Sequence, residues 1–243
     1  MIRYFQKGFN YGQDGPGNRL VFHLQGCNMA CPWCANPEGL NSFGGQTIST
    51  DALVTEIISC KSLFFDGGGV TFTGGEATLQ FAELQEVLTA LKQEGIHTVM
   101  ETNGTHPDLE KLFPLLDLLI LDCKQIDSLL HKQVTGLSNQ VILDNIKKAA
   151  VLHPQVWVRI PLIQGFNTTA EDLQRFITFA KQVLTLQSNN QISFEFLPYH
   201  EYGKVKWEAS GKPYTIKDGF VSKETLTSFQ QAFQEQNIPL IQT

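Results

Sequence analysis

Short β-branched runs alternate with stretches of helical period along most of this 243-residue chain. Such alternation is typical of repeated β-strand–α-helix units, which build a parallel sheet flanked by helices. The strands are predicted at residues 20–24, 69–72, 97–101, 118–121, 156–160 and 192–196. The helices are predicted at residues 50–59, 79–94, 139–152, 169–184 and 223–234. Six units instead of eight predict an α/β fold of the partial TIM-type (β/α)6 barrel class, laterally open and formed as a single domain over residues 1–243.

Two local features refine this pattern. Ser49 or Thr50 and, further on, Ser138 are predicted N-caps, because their side-chain oxygens can accept a bond from the first helical turn. The stretch 198–218 is long and rich in glycine, lysine and aromatic residues, which marks it as a candidate functional loop.

Polar or glycine-rich residues follow five of the predicted strands and lie at the end of the other. Those that follow a strand are the cysteine loop Cys27–Cys34, Thr73-Gly74-Gly75-Glu76, Glu101-Thr102-Asn103-Gly104, Asp122-Cys123-Lys124 and Pro198-Tyr199-His200, and Arg159 lies at the end of the fifth strand. In barrels of this kind the chemistry gathers at the carboxyl ends of the strands. The placement therefore predicts one functional edge of the sheet.

Cys27, Cys31 and Cys34 form a C-x3-C-x2-C run directly after the first predicted strand. Three thiolates on one tight loop suit a cubic iron–sulfur cluster and leave its fourth iron open to another ligand. A structural zinc site that recruits His23 is the alternative. A disulfide framework is disfavoured, because the cysteines number five, and the isolated Cys60 and Cys123 are most simply small buried hydrophobes.

The net charge of −6 and a pI near 5.5 argue against a nucleic-acid surface, and the basic residues are scattered. No apolar run of eighteen residues indicates a membrane span. The opening residues MIRYFQKGFN lack the apolar core of a signal peptide. A thiol-rich metal loop then predicts a reducing cytoplasm as the location.

Taken singly, each of the other polar residues can be interpreted either as a structural feature or as a ligand contact. Gly74, Gly75 and Glu76 are either a strand-to-helix turn or a place where a ligand approaches the backbone, with Glu76 accepting from an ammonium group. Asp122 and Lys124 point to one side of an extended segment, where they hold a carboxylate ligand, a cation or each other. Arg159 and His200 are ligand contacts or satisfied polar groups at a loop edge.

In combination the residues form a family pattern. The cysteine loop with Trp33 before its last cysteine, followed by Gly-Gly-Glu after the second strand, resembles the radical S-adenosylmethionine superfamily. The runs DGPG at Asp14–Gly17, GGGVTFTGGEATLQ, LDCKQ and LPYHEYGKVKW are similar to those of activating enzymes of glycyl radical enzymes, most of all the pyruvate formate-lyase type. The resemblance extends from Asp14 to Trp207 and matches the short form without a ferredoxin-like insert. Ala35-Asn36 and Glu101 stand where members of this type often have His-Asn and Asp.

This resemblance implies a role for each matching residue. Cys27, Cys31 and Cys34 would hold one [4Fe–4S] cluster whose open iron chelates the amino and carboxylate groups of S-adenosylmethionine. The cofactor contacts it implies are Trp33, Ala35, Gly74, Gly75, Glu76, Asp122, Cys123, Lys124, Arg159 and His200. Glu101 and Thr102 would share a monovalent cation with Asp122.

The resemblance also implies the partners. The substrate would be one glycine of a glycyl radical enzyme, approached through a side lined by Asp14, Gly15 and Gly17, and the loop 199–214 would help to hold that protein. Reduced flavodoxin or ferredoxin would donate the electron to a monomeric activase. The two rival hypotheses are a radical S-adenosylmethionine enzyme acting on a small molecule, such as a deazaguanine-forming synthase, and a non-catalytic metal or electron-carrier protein.

Overall fold

The computed structural model describes residues 1–187 and 191–241 of the chain. The strands are β1 (Ile2–Tyr11), β2 (Asn18–Leu24), β3 (Gln46–Ile48), β4 (Gly69–Gly74), β5 (Thr98–Thr102), β6 (Leu118–Asp122), β7 (Gln155–Leu162) and β8 (Gln191–Pro198). The α-helices are α1 (Thr50–Ser59), α2 (Phe81–Gln93), α3 (Ser128–Thr135), α4 (Gln140–Leu152), α5 (Ala170–Leu186), α6 (Lys204–Ala209) and α7 (Lys223–Glu235). Short 3₁₀-helices occupy Pro37–Leu40, Lys61–Leu63, Ala77–Gln80 and Leu109–Leu115.

Within residues 1–187 and 191–241, eight strands form one sheet in the order β3-β1-β2-β4-β5-β6-β7-β8, which is not closed into a barrel. The pairs β2–β4, β4–β5 and β7–β8 are parallel. The six strands predicted from the sequence are β2 and β4 to β8, so the predicted α/β class with an open, mainly parallel sheet is confirmed.

The prediction of six strands misses two, which extend one edge of the sheet. β1 pairs antiparallel with both β2 and β3. The second half of β1 is mostly exposed, and β3 has only three residues, so neither carries a clear period-two pattern of burial. Helices α3 and α6 are not predicted either, because eight and six residues are too few to show a clear helical period. Helix α6 lies within the predicted loop 198–218.

Of the predicted N-caps, Ser49 is confirmed and Ser138 is not. Ser49 is the N-cap of α1, where its hydroxyl accepts a bond from the amide of Ala52. The prediction of Ser138 as a cap is wrong, because the N-cap of α4 is Asn139. Asn139 makes no capping bond with its side chain, because its buried amide group donates to the carbonyls of Gln125 and Ile126.

The described residues divide into two compact units. The first comprises Met1–Asn28, Asn36–Thr102 and Asp108–Ile120. Its central strands β2 and β4 are buried almost along their whole length, as strands covered on both faces require. Phe22 and Phe72 stack with ring centroids 6.0 Å apart across this strand pair. The helices contribute the buried side chains Leu53, Ile57, Leu84, Val87, Leu88 and Leu91.

The second unit comprises Met29–Ala35, Asn103–Pro107 and the described part of Leu121–Thr243. Phe196 of β8 packs edge-on against Phe229 and Phe233 of α7, at centroid distances of 5.7 and 4.8 Å. A capping box between Thr169 and Asp172 begins α5. None of the helices in the described ranges combines the length and apolarity that crossing a membrane requires.

Acid is expected to destabilise the fold through buried His131. Burial lowers the pKa of this imidazole below its ordinary value of 6.5, with a smaller effect from Lys124 in the same direction. The unfolded chain therefore binds more protons near pH 6, so the free energy of unfolding falls as the pH drops below about 6.5. Urea unfolding at pH 7 and pH 5 measures this loss. His131→Gln should show a smaller loss than the wild type, and an equal loss in both proteins would contradict the assignment.

Candidate functional site

The first unit builds a turn around Gly74, Gly75 and Glu76 directly after β4. The amide of Gly75 donates to the carbonyl of Leu24 over 2.9 Å, and the amide of Glu76 donates to the carbonyl of Gly26 over 2.7 Å. Gly74 has a φ of +119°, which favours glycine. The turn is therefore fastened to the residue that precedes Cys27.

Glu76 lies inside this turn with an exposed fraction of 1%. Its Oε1 accepts bonds from the amide and hydroxyl of Thr78, at 2.9 and 2.5 Å, and from the hydroxyl of Thr102 at 2.6 Å. Donors from two segments thus fix one carboxylate oxygen at the carboxyl ends of β4 and β5. The neighbouring Glu101 accepts a bond from the hydroxyl of Thr73 over 3.2 Å.

Gly75→Ala is expected to destabilise the first unit. A Cβ at Gly75 would lie 2.1 Å from the carbonyl oxygen of Gly26 and 2.6 Å from that of Gly39. Because both atoms belong to the backbone, we expect the free energy of unfolding to fall by about 1–3 kcal/mol, the usual cost of overpacking. Chemical denaturation measures it. The matched control is Gly8→Ala, whose Cβ would meet nothing within 4 Å. Equal stability of the two variants would refute the expectation.

The loop Asp14–Gly17 lies at the other end of β2, before the strand begins. Fully buried Arg19 fastens it, donating to the carbonyl of Pro16 over 2.8 Å and to the hydroxyl of Thr71 over 2.8 Å. That hydroxyl donates in turn to the carbonyl of Asp14. Burial lowers the pKa of Arg19 to about 10, and the guanidinium still carries its charge at neutral pH. The buried Gly15 and Gly17 are held rigidly at the amino-terminal end of the strand.

In the second unit, Asp122 and Lys124 form the ion pair that the sequence left open. The Lys124 Nζ lies 2.5 Å from Oδ2 of Asp122, and both side chains are largely buried. Between them Cys123 is 1% exposed, and burial raises the pKa of its thiol to about 12, with a smaller contribution from Asp122. Cys123 therefore stays protonated at neutral pH.

Arg159 lies next to this segment and is also paired. The amide of Cys123 donates to the carbonyl of Arg159 over 2.7 Å, and the Arg159 Nε donates to Oε2 of Glu195 over 2.6 Å. Arg159 and Glu195 face each other in the β7–β8 register, and their side chains are only 6% and 1% exposed. His200 lies beyond the end of β8, where its ring stacks on Tyr202 at 4.2 Å and burial lowers its pKa.

The part of the cysteine loop from Met29 onward belongs to the second unit. Trp33 packs on Phe166 with ring centroids 4.8 Å apart, and the carbonyl of Cys34 accepts a bond from the indole N–H of Trp207 over 2.8 Å. Ala35 lies against Gly203, where a Cβ on the glycine would come within 2.8 Å of the Ala35 Cα. Gly203 and Trp207 therefore contact the backbone of this loop at Cys34 and Ala35.

The donor chemistry of the loop fits an iron–sulfur cluster. Cys27, Cys31 and Cys34 form no disulfide, and of the three Cys31 is buried while the other two are partly exposed. Three thiols without a disulfide are the ligands that such a cluster takes from a protein. In residues 1–187 and 191–241 no group of three or more His, Cys, Asp or Glu is arranged to hold a single metal ion. The assignment of these three cysteines as cluster ligands therefore rests on their spacing in the sequence and on the chemistry of their thiols.

Each unit thus brings together some of the predicted residues. The first joins Glu76 with Thr102, and the second joins Asp122 with Lys124 and Cys123 with Arg159. Sequence reasoning missed Glu195 and Trp207. A single carboxylate between Phe194 and Phe196 in an otherwise apolar strand is a signal for a buried partner that could have identified Glu195. Trp207 ends the run LPYHEYGKVKW, but nothing in that run indicates its contact with Cys34, 173 residues away.

Comparison with known proteins gives a consistent result. Residues 21–180 match the Radical SAM superfamily. The chain is 35% identical over 220 residues to the pyruvate formate-lyase 1-activating enzyme of Escherichia coli K12, covering 88% of this chain and 87% of that protein. It is 36% identical over 214 residues to the pyruvate formate-lyase-activating enzyme of Streptococcus mutans, with coverages of 84% and 80%.

A solved structure agrees with these relatives. The crystal structure of a domain of a pyruvate-formate lyase-activating enzyme from Bacteroides vulgatus is 25% identical and superposes with a TM-score of 0.58. It covers 72% of this chain and 98% of the crystallised one.

Proposed function

The chain belongs to the radical SAM superfamily and, within it, to the pyruvate formate-lyase activating enzymes, and from this membership we propose that it activates a glycyl radical enzyme of the pyruvate formate-lyase type. Members of the superfamily use a [4Fe–4S] cluster and S-adenosylmethionine. The observation that carries the proposal is the run of three cysteines outside any disulfide, Cys27, Cys31 and Cys34, within residues 21–180, which match the superfamily.

In this proposal the three cysteines are the cluster ligands, and Cys60 and Cys123 are not. A bound [4Fe–4S] cluster would supply the electron needed to cleave S-adenosylmethionine, and the radical so produced would take a hydrogen atom from glycine. The thiol of Cys123 is buried and protonated, which makes it a poor metal ligand and supports its exclusion. The protein's own contribution is binding, orientation and exclusion of water.

The remaining residues position the cofactor in this proposal. Gly74 and Gly75 form the turn whose backbone contacts the methionine part, and Glu76, held by Thr78 and Thr102, orients its ammonium group. The Lys124 ammonium beside Asp122 faces the carboxylate, with a monovalent cation near Asp122, Glu101 and Thr102.

Five further residues complete the proposed cofactor site. Arg159 contacts the cofactor from within β7 and His200 from just beyond the end of β8, and Cys123 contributes backbone groups. Trp33 and Ala35 pack at the adenine end.

We further propose the partners of the reaction. The substrate is a glycine on a flexible loop of the glycyl radical enzyme, and the loop of Asp14, Gly15 and Gly17 contacts that protein. Reduced flavodoxin or ferredoxin supplies the electron, the activase works as a monomer in the cytoplasm, and one catalytic domain spans the chain. The fixed conformation of the Asp14–Gly17 loop supports this role, because a preorganised loop loses little entropy on binding.

Anaerobic cleavage of S-adenosylmethionine tests the proposed chemistry. The protein is reconstituted with iron and sulfide and reduced, and 5′-deoxyadenosine is then quantified by chromatography after the cofactor is added. We expect product that depends on both the reductant and the cluster. A full, reducible cluster without product would instead favour the electron-carrier hypothesis.

A further inference from the structure

The third cysteine of the loop is fastened through its backbone by a distant part of the chain. The indole N–H of Trp207 donates to the carbonyl of Cys34 over 2.8 Å, although 173 residues separate them in sequence. Trp207 lies in α6, a helix of only six residues within the segment 199–216. A bond of this kind fixes the direction of one peptide plane and, through it, the start of the Cys34 side chain.

Gly203, in the same segment, also lies against the backbone of Cys34 and Ala35. A Cβ on Gly203 would lie 2.4 Å from the carbonyl oxygen of Cys34 and 2.8 Å from the Cα of Ala35. The backbones of the segment and of the cysteine loop therefore meet at a distance that only glycine allows. The buried position of Gly203 shows that this approach is closed to solvent.

The segment that makes these contacts is itself held in place. The hydroxyls of Tyr199 and Tyr214 lie 2.6 Å apart, and Lys204 pairs with Glu201 over 2.9 Å. Trp33, the residue before Cys34, joins the apolar cluster of Ile163, Phe166 and Tyr199, against which Tyr214 and Ile216 also pack. The residues on both sides of Cys34 are thus held by the same structure that orients its carbonyl.

We propose that Trp207 and Gly203 are positioning residues that hold Cys34 in the orientation required of a cluster ligand. Groups that orient a metal ligand typically contribute 10- to 100-fold to metal affinity, although they never touch the metal. The inference rests on the proposed function, since it takes Cys34 to be a ligand. It adds a role for the segment 199–216 that is distinct from contact with a partner protein.

Trp207→Phe tests this by removing the N–H donor and keeping an aromatic ring. The matched control is Trp157→Phe, a partly exposed tryptophan on β7 of the same unit. All proteins are reconstituted, and two properties are measured: the rate at which a chelator extracts iron and the EPR spectrum of the reduced cluster. We expect about tenfold faster extraction and an altered EPR spectrum in Trp207→Phe, with the control equal to the wild type.

Gly203→Ala provides a second, independent variant, for which we expect the same two changes. Wild-type extraction and EPR in Trp207→Phe would overturn the inference and leave the proposed function intact. Faster extraction with an unchanged EPR spectrum, or equal effects in both tryptophan variants, would indicate a general loss of stability and overturn it too. A wild-type protein that takes up no cluster would overturn the proposed function together with the inference.

Discussion

Cys31→Ala is expected to reduce reductive cleavage of S-adenosylmethionine to the level of a sample without protein. Cys31 is the middle ligand of the proposed cluster, and its thiol is buried and in no disulfide. Removing it leaves two thiols, too few for a cluster of this type to be held as the superfamily holds it. The measurement is 5′-deoxyadenosine formed per protein after anaerobic reconstitution, together with the iron content.

Cys60→Ala is the matched control for this change. Cys60 is a partly exposed free thiol at the end of α1, outside the cysteine loop. The variant should retain most of the wild-type cleavage and iron content. Substantial cleavage by Cys31→Ala, or its loss in Cys60→Ala, would contradict the ligand assignment and reopen the zinc alternative with His23.

Glu195→Ala is expected to lower the free energy of unfolding by about 3–5 kcal/mol, the usual cost of breaking a buried ion pair from one side. The Oε2 of Glu195 lies 2.6 Å from the Nε of Arg159, and the carboxylate side chain is 1% exposed. Its removal takes away the negative charge that this buried guanidinium faces. Urea unfolding of the cluster-free protein measures the loss without interference from the metal.

A double variant separates loss of the pair from loss of packing. Arg159→Met with Glu195→Leu replaces both charges by apolar groups of similar size, which is often close to neutral. We therefore expect it to be more stable than Glu195→Ala alone. A loss below 1 kcal/mol in Glu195→Ala, or a double variant that is less stable than the single one, would show that the pair does not act as described.

The alternating pattern of strands and helices was sufficient to predict the part of the fold that carries the site. β2, β4 and β6 are buried over nearly all their residues, so their apolar runs stand out against the polar turns that follow them. The glycine turn could be placed for the same reason, because Gly74 and Gly75 come directly after such a run. Burial along a whole strand is a local property that the sequence records well.

What the sequence could not predict depends on contacts between distant residues. The exposed second half of β1 gives no period, and only pairing with β2 makes it a strand. Similarly, Glu76 reads as a solvated carboxylate until Thr102, 26 residues later, is found to donate to it. The bond from Trp207 to Cys34 is the extreme case, since neither residue's neighbours predict the other.

The most direct test of the central claim is the EPR spectrum of a partner protein. A pyruvate formate-lyase is incubated anaerobically with the cluster-loaded protein, reductant and S-adenosylmethionine, and a parallel sample carries alanine at the partner's target glycine. We expect a glycine-centred radical signal that needs all components and is absent from the alanine sample. Continued formation of 5′-deoxyadenosine without any such signal would contradict the account and favour an enzyme that acts on a small molecule.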